Sequence, residues 1–204
     1  MPNDNASGSR TMSECRDWAK NDPLMLSYHD TRWCVPCHDD TELFAMLCLE
    51  GQQAGLSWST IIHKEAAIRE AFDNFVIKTV AAYDEEKISE LMNNPQIIRS
   101  KPKISAAITN ARAVLRIIES GEFSSFNDYV WHFTDGQQIV HHLKELSEMP
   151  AQNDISIMAS RDMKKRGFKY IGPVIVYSYF QGIGIFDDHL DNCPCKRKSH
   201  QPVG

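Results

Sequence analysis

Leu49-Glu50-Gly51-Gln52-Gln53-Ala54-Gly55-Leu56-Ser57-Trp58 is the stretch on which the reading of this chain turns. It follows the apolar run Leu43-Phe44-Ala45-Met46-Leu47-Cys48, and the spacing predicts a helix opened by Asp40 as N-cap and closed near Gly55. Steps of four, three and four through Leu43, Leu47, Glu50 and Ala54 place Glu50 on the core-facing side of that helix. Taking an uncompensated ionised carboxylate out of water costs several kcal/mol, so a Glu in that position has a partner or a task. On spacing alone, a boundary residue that reaches solvent is an equal alternative. Ser57 is expected to cap a second helix, which Trp58 enters in its first turn. A carboxylate and a flat aromatic then flank one short, glycine-hinged connection.

Outward from this pair, a helix from about Ser57 to Phe72 carries Ile61, Ile62 and Ile68. Asp84 opens a short helix through Met92 that Pro95 stops. Pro102 begins a long helix with the stripe Ile104, Ala107, Ile108, Ala111, Leu115 and Ile118, ended by Gly121, and Ser125 begins another. Residues 15–38 are irregular and aromatic, and read as loops and short helices. No stretch alternates with period two for long, so the expected fold class is all-α. Residues 1–13, rich in Asn and Ser, read as a flexible leader to a single domain of two packed helical lobes over residues 14–204.

Residues 154–184 read as helix, hairpin, helix, with Gly167-Phe168-Lys169-Tyr170-Ile171-Gly172 as the connection and Pro173 opening the second helix. Glycines at both hairpin ends permit unusual backbone angles and close approach of another backbone. The uncapped amides of the second helix would form an anion site near Lys169. Two helices joined through glycines are common, and taken alone they are more often simple packing than DNA binding.

The formal net charge of −5 does not mark a nucleic-acid binder. The charge is uneven, however: Arg99-Ser100-Lys101-Pro102-Lys103, Lys164-Lys165-Arg166-Gly167-Phe168-Lys169 and Lys196-Arg197-Lys198 are basic, and a local basic face can follow a phosphate backbone. No window approaches the ~20 continuous apolar residues of a membrane span, and Met1 to Thr11 lacks the apolar centre of a signal peptide, so a cytosolic location is expected. Six irregularly spaced cysteines then suggest metal ligands and buried thiols rather than a disulfide framework. His189 and Cys193 are spaced to face one metal from a single helical turn, and Cys15 and His29 supply the same two ligand types near the other end. Cys34-Val35-Pro36-Cys37-His38 matches the attachment pattern of c-type haem, which in the absence of an export signal is the weaker reading. Cys37, His38 and Cys195 are alternative zinc ligands, and Cys48 is expected in the core.

The stretch from Leu49 to Trp58 closely resembles the 3-methyladenine DNA glycosylase I family. The resemblance continues in Asp22-Pro23-Leu24, Tyr28-His29-Asp30, Trp33, Asn110-Ala111-Arg112-Ala113, Lys164 to Lys169, Asp188-His189 and Cys193, so it covers roughly residues 15–195. It implies a helix-hairpin-helix DNA glycosylase-like fold with a structural zinc, held by Cys15, His29, His189 and Cys193, that tethers the N- and C-terminal segments. The implied activity is hydrolysis of the N-glycosidic bond of 3-methyladenine in alkylated double-stranded DNA, without strand cleavage, by a monomer in the bacterial cytoplasm. Glu50 is the implied catalytic residue. Tyr28 and Trp58 would contact the base, with Trp18 and Trp33 lining the same region. Leu56 would wedge into the space left by the flipped base, and Gly167, Lys169 and Gly172 would hold a phosphate. Asp188 is expected to be a loop or supporting group beside His189 rather than a catalytic one. The chain departs from the family pattern in one extra residue between Cys15 and Trp18 and in Cys34, where Gly is usual. The competing readings are a DNA-binding protein on the same fold that has lost excision, and a haem or redox protein built on Cys34 and Cys37.

Overall fold

A computed structural model describes residues 14–196; residues 1–13, expected as a leader, and Arg197 and Lys198 of the last basic cluster lie outside the described residues. A 3₁₀ turn at Glu14–Ala19 leads into α1 (Pro23–Thr31), whose first amides donate to the Asp22 carboxylate. The next helix, α2 (Asp40–Gln53), corrects the expected cap by one residue. Asp39 is the extended N-cap and accepts from the Glu42 N–H at 2.9 Å. Asp40 instead reaches across the fold and accepts from the amides of Phe126 and Asn127 at 3.1 and 2.7 Å, which caps α7 (Phe126–Trp131). Every residue from Leu43 to Glu50 is buried, so α2 is a central helix packed on all sides rather than a striped surface one. It packs against α3 (Trp58–Ala71), α6 (Lys101–Glu119), α7 and α9 (Pro173–Gly182).

Ser57 caps α3 through its Oγ, as its position predicts. The turn between α2 and α3 takes Gly55 at φ +77° and is fastened from α6 by Lys103, whose Nζ donates to the carbonyls of Gln52 and Ala54 at 2.8 and 2.6 Å. Between α3 and α6 lie α4 (Ile77–Ala81), which periodicity did not reveal, and α5 (Glu85–Asn93), capped by Asp84. Ser100 is the N-cap of α6, so Pro102 is its second residue rather than its first. The helix-hairpin-helix segment is α8 (Asp154–Lys165), opened by an Asn153–Ser156 capping box, followed by α9.

One feature departs from the all-helical expectation. β1 (Ile139–Val140) and β2 (Phe186–Asp187) form a two-residue parallel ladder in which Ile139 pairs with Phe186. The chain leaving α9 runs through the interior, where its backbone groups need partners. The amides of Ile139 and His141 supply them, donating to Ile185 and Asp187 carbonyls at 2.8 and 3.0 Å. This ladder fixes the segment Asp187-Asp188-His189.

Candidate active site

Where α1, α2, α3 and α9 meet the loop at residues 146–151, they enclose a cavity of about 460 Å³. Glu50 and all four aromatics singled out from sequence, Trp18, Tyr28, Trp33 and Trp58, line it. The rings form one connected wall: Trp58 lies 5.4 Å from Tyr28 between centroids, Tyr28 6.4 Å from Trp18, and Trp18 5.6 Å from Trp33. Tyr28 is backed by the Arg32 guanidinium, 5.3 Å from its ring centroid, which a bidentate pair with Glu65 at 2.7 and 2.8 Å holds in place. Gly182 on α9 leaves room for this arrangement, since a Cβ there would come within 3.3 Å of the Tyr28 hydroxyl and 3.1 Å of Met46 Sδ.

Glu50 is 4% exposed. No protein donor reaches either of its oxygens among the described residues, and Oε2 is fully buried without a partner. Burial alone pushes its carboxyl up to about 8. The indole Nε1 of Trp58 is likewise buried and unpartnered. An unpaired buried polar group costs on the order of 1–3 kcal/mol, and these two belong to side chains that line the same cavity, where a ligand could supply the missing partners.

Among the cavity residues that the sequence reading did not single out are Tyr177 and Gln181. Their spacing of four on α9 was the available signal. Both hold Asp188, which is fully buried: Tyr177 Oη and Gln181 Nε2 approach its Oδ2 at 2.6 and 2.7 Å, and His141 Nδ1 lies 2.5 Å from Oδ1. Both oxygens of Asp188 are therefore engaged, and it does not support His189 as expected. Its neighbour Asp187 does so, with Oδ1 2.8 Å from His189 Nδ1.

Leu56 stands at the α2–α3 turn, 40% exposed. The hairpin of residues 167–172 is clamped by Asn110, which accepts from the Lys169 N–H at 2.7 Å and donates to its carbonyl at 3.1 Å, while the Lys169 side chain is exposed. Gly167 takes φ +93°, but Gly172 does not use the freedom of glycine; the second left-handed residue is Tyr170 at φ +53°. At Gly172 a Cβ would meet nothing within 4 Å, and this N-cap offers no side-chain oxygen, so the first amides of α9 are left uncapped.

The ligand atoms of His29, His189, Cys193 and Cys195 all lie within 4.8 Å of one another. Cys15 borders the same cluster, its Sγ 3.3 Å from His29 Nε2, while Cys193 Sγ is 3.9 Å from that nitrogen. These separations suit the edges of a tetrahedral zinc site. The supporting groups fit as well: Asp30 Oδ1 is 2.7 Å from His29 Nδ1, and Asp187 holds Nδ1 of His189 in the same way, which leaves both Nε2 atoms for a metal. A hydrogen bond from Cys15 first, with a further one from His29, lowers the Cys193 thiol toward the thiolate a metal requires. Cys37 and His38 join no such cluster among the described residues; His38 Nδ1 is 2.9 Å from Asn127 Oδ1. Cys34, buried at φ +60°, accepts from the Asp188 amide at 3.4 Å, and its sulfur lies within 4.8 Å of ligand atoms of Asp187 and His189.

A family model described as methyladenine glycosylase matches residues 18–197. DNA-3-methyladenine glycosylase 1 of Escherichia coli (strain K12) is 44% identical over 184 residues, which span 90% of this chain and 97% of that protein. The DNA-3-methyladenine glycosylase of Haemophilus influenzae is 39% identical over 179 residues, 88% of this chain and 96% of the relative. The solved structure of 3-methyladenine DNA glycosylase I from Staphylococcus aureus, described for its 3-methyladenine recognition, superposes with a TM-score of 0.88 at 36% identity, covering 92% of this chain and 98% of that one. Matches of this extent, over a chain whose buried carboxylate and aromatic wall share one cavity, carry the assignment: the chain belongs to the methyladenine glycosylase family.

Proposed function

We propose that this protein is a base-excision enzyme that hydrolyses the N-glycosidic bond of 3-methyladenine in alkylated double-stranded DNA. The observation that carries the reading is the orphaned carboxylate of Glu50 inside the aromatic cavity. Adenine methylated at N3 is cationic in the nucleotide and leaves as a neutral base, so the reaction needs no strong general acid. It needs extrusion of the nucleotide, a shaped pocket, and stabilisation of charge as it moves toward the sugar. The faces of Tyr28 and Trp58 would hold the base by stacking and cation–π attraction, on the order of 1–3 kcal/mol, with Trp18 and Trp33 completing the wall. Glu50 would accept from the base edge and attract the cationic form. Among the described residues no lysine lines the cavity, which supports simple hydrolysis by water without Schiff-base chemistry or strand cleavage.

Leu56 would fill the gap left in the duplex. The hairpin of Gly167, Lys169 and Gly172, with the uncapped start of α9, would hold one phosphate without reading sequence. Lys169→Glu is therefore expected to weaken binding to all duplexes alike and to lower the slope of log affinity against log salt by about one. A loss confined to one sequence would contradict this role. The protein would act on DNA as a monomer in the bacterial cytoplasm.

Zinc, when bound, supplies a structural cross-link and takes no part in bond cleavage; Cys15, His29, His189 and Cys193 would hold it, with Cys195 within reach. Cys193→Ser is expected to lower both the zinc content per chain and the melting temperature. Unchanged zinc stoichiometry by elemental analysis would remove Cys193 from the site.

The test of the activity is release of free base from methylated duplex DNA by the full chain. Prompt release of 3-methyladenine supports the proposal. Tight binding to such DNA without release would favour the alternative of a non-catalytic DNA-binding protein.

A further inference from the structure

The Asp188 network has a consequence for the cavity. Gln181 is 7% exposed and donates through Nε2 to Asp188 Oδ2 at 2.7 Å and toward Met149 Sδ at 3.2 Å. Both hydrogens of its amide are thereby used. Three groups, Tyr177, Gln181 and His141, converge on the Asp188 carboxylate and occupy both of its oxygens. A reversed amide would set the Gln181 oxygen against that carboxylate, so its orientation is fixed. Oε1 accepts nothing within the described protein, and it belongs to a side chain that lines the cavity.

Resting on the excision reading, we infer that Gln181 is a specificity-determining residue, held by Asp188 as a fixed acceptor for the six-position amino group of the flipped base. The cavity then offers acceptors at Glu50 and Gln181, which suits an amine carrying two N–H groups. A base with an oxo group at that position would face oxygen with oxygen. Asp188 acts through Gln181 and is a positioning residue. This division explains why a buried carboxylate sits behind the cavity wall with both oxygens turned to protein groups.

The experiment compares binding of free 3-methyladenine and 3-methylhypoxanthine, followed by tryptophan fluorescence, in the wild-type chain and in Gln181→Met, alongside base release from methylated duplex DNA. The wild type is expected to prefer 3-methyladenine. Gln181→Met should narrow that preference by about tenfold, the worth of one hydrogen bond, by weakening 3-methyladenine alone. Equal weakening of both bases, or an unchanged ratio, would overturn the assignment and leave Gln181 a packing residue. Should the variant not fold, NMR of the Gln181 side-chain amide in the wild type reads the same contact: a shift with 3-methyladenine and none with 3-methylhypoxanthine supports it, and no shift with either overturns it. A wild type that releases no 3-methyladenine from DNA would instead remove the excision reading on which this inference stands.

Discussion

Glu50→Gln is expected to reduce the rate of 3-methyladenine release by about 100-fold or more, the scale set by deleting one preorganised electrostatic group at a reacting centre. The same change should stabilise the protein at alkaline pH. Buried without a partner, the Glu50 carboxyl is pushed up to about 8, from 4.5 in the open chain. A group that binds its proton more tightly when folded adds stability below the unfolded value, and that contribution is lost as pH rises toward the folded one. The wild type should therefore lose stability between about pH 4.5 and 8 relative to the Glu50→Gln variant. Activity should run the other way. The charged form attracts the cationic base, so kcat/KM should climb as pH passes through about 8 in the wild type and stay flat in the variant. Thermal melts at pH 5 and pH 9, paired with pH–rate profiles, check both trends. A variant that retains near-normal release, or melts lower than the wild type at pH 9, would remove Glu50 from the role proposed for it.

Gly184→Ala is expected to be the most damaging single-methyl change in the scaffold. Gly184 lies at φ +76° in the connection from α9 to β2, and a Cβ there would sit 2.3 Å from both Pro36 N and the Val35 carbonyl carbon. Backbone atoms, not flexible side-chain ends, receive the collision. The two segments are stapled together: Cys34 N–H donates to Gln181 O at 2.8 Å, Cys37 N–H to Ile183 O at 3.0 Å, and Gln138 Nε2 to the Cys34 and Gly184 carbonyls at 2.9 Å each. Separating them should cost about 4 kcal/mol or more and lower Tm by roughly 10 °C. Gly136 makes the control. It has nearly the same backbone angle, φ +75°, with nothing within 4 Å of its Cβ position, so Gly136→Ala should cost only about 1 kcal/mol. Equal losses in urea unfolding would show that the dihedral, not the contact, decides.

The caps and breakers at Ser57, Asp84, Ser125 and Pro173 made most helices legible, because their effects are local. Asp39 and Asp40 defeated the same logic. Both are good N-caps, and which of them takes extended backbone depends on where the start of α7 lies, a contact across 86 residues for Asp40 and Phe126. Asp187 and Asp188 were confused for a related reason. Successive side chains along extended backbone point to opposite sides, so one carboxylate serves His189 and the other faces Tyr177 and Gln181. A two-residue ladder is too short to leave a period in sequence. Spacing left Glu50 open between an inward carboxylate and a boundary residue reaching solvent, and its meeting with Trp18, Trp33 and Gln181 around one cavity depends on helix crossings that no local pattern records. Cys34 adopts, at φ +60°, the left-handed geometry for which glycine is the usual residue, so the substitution keeps the turn and adds a buried sulfur.

The cavity takes Trp18, Tyr28 and Trp33 from near the start of the chain and Tyr177 and Gln181 from near its end, and the Cys15–His29–His189–Cys193 cluster joins the same two regions. On the ribosome these parts emerge many seconds apart at typical synthesis rates. Until α9 and the β2 segment have left the exit tunnel, the early aromatics have no opposite wall and the Glu50 carboxylate stays hydrated. Neither the aromatic cavity nor the Cys/His cluster is complete until that last part of the chain is in place.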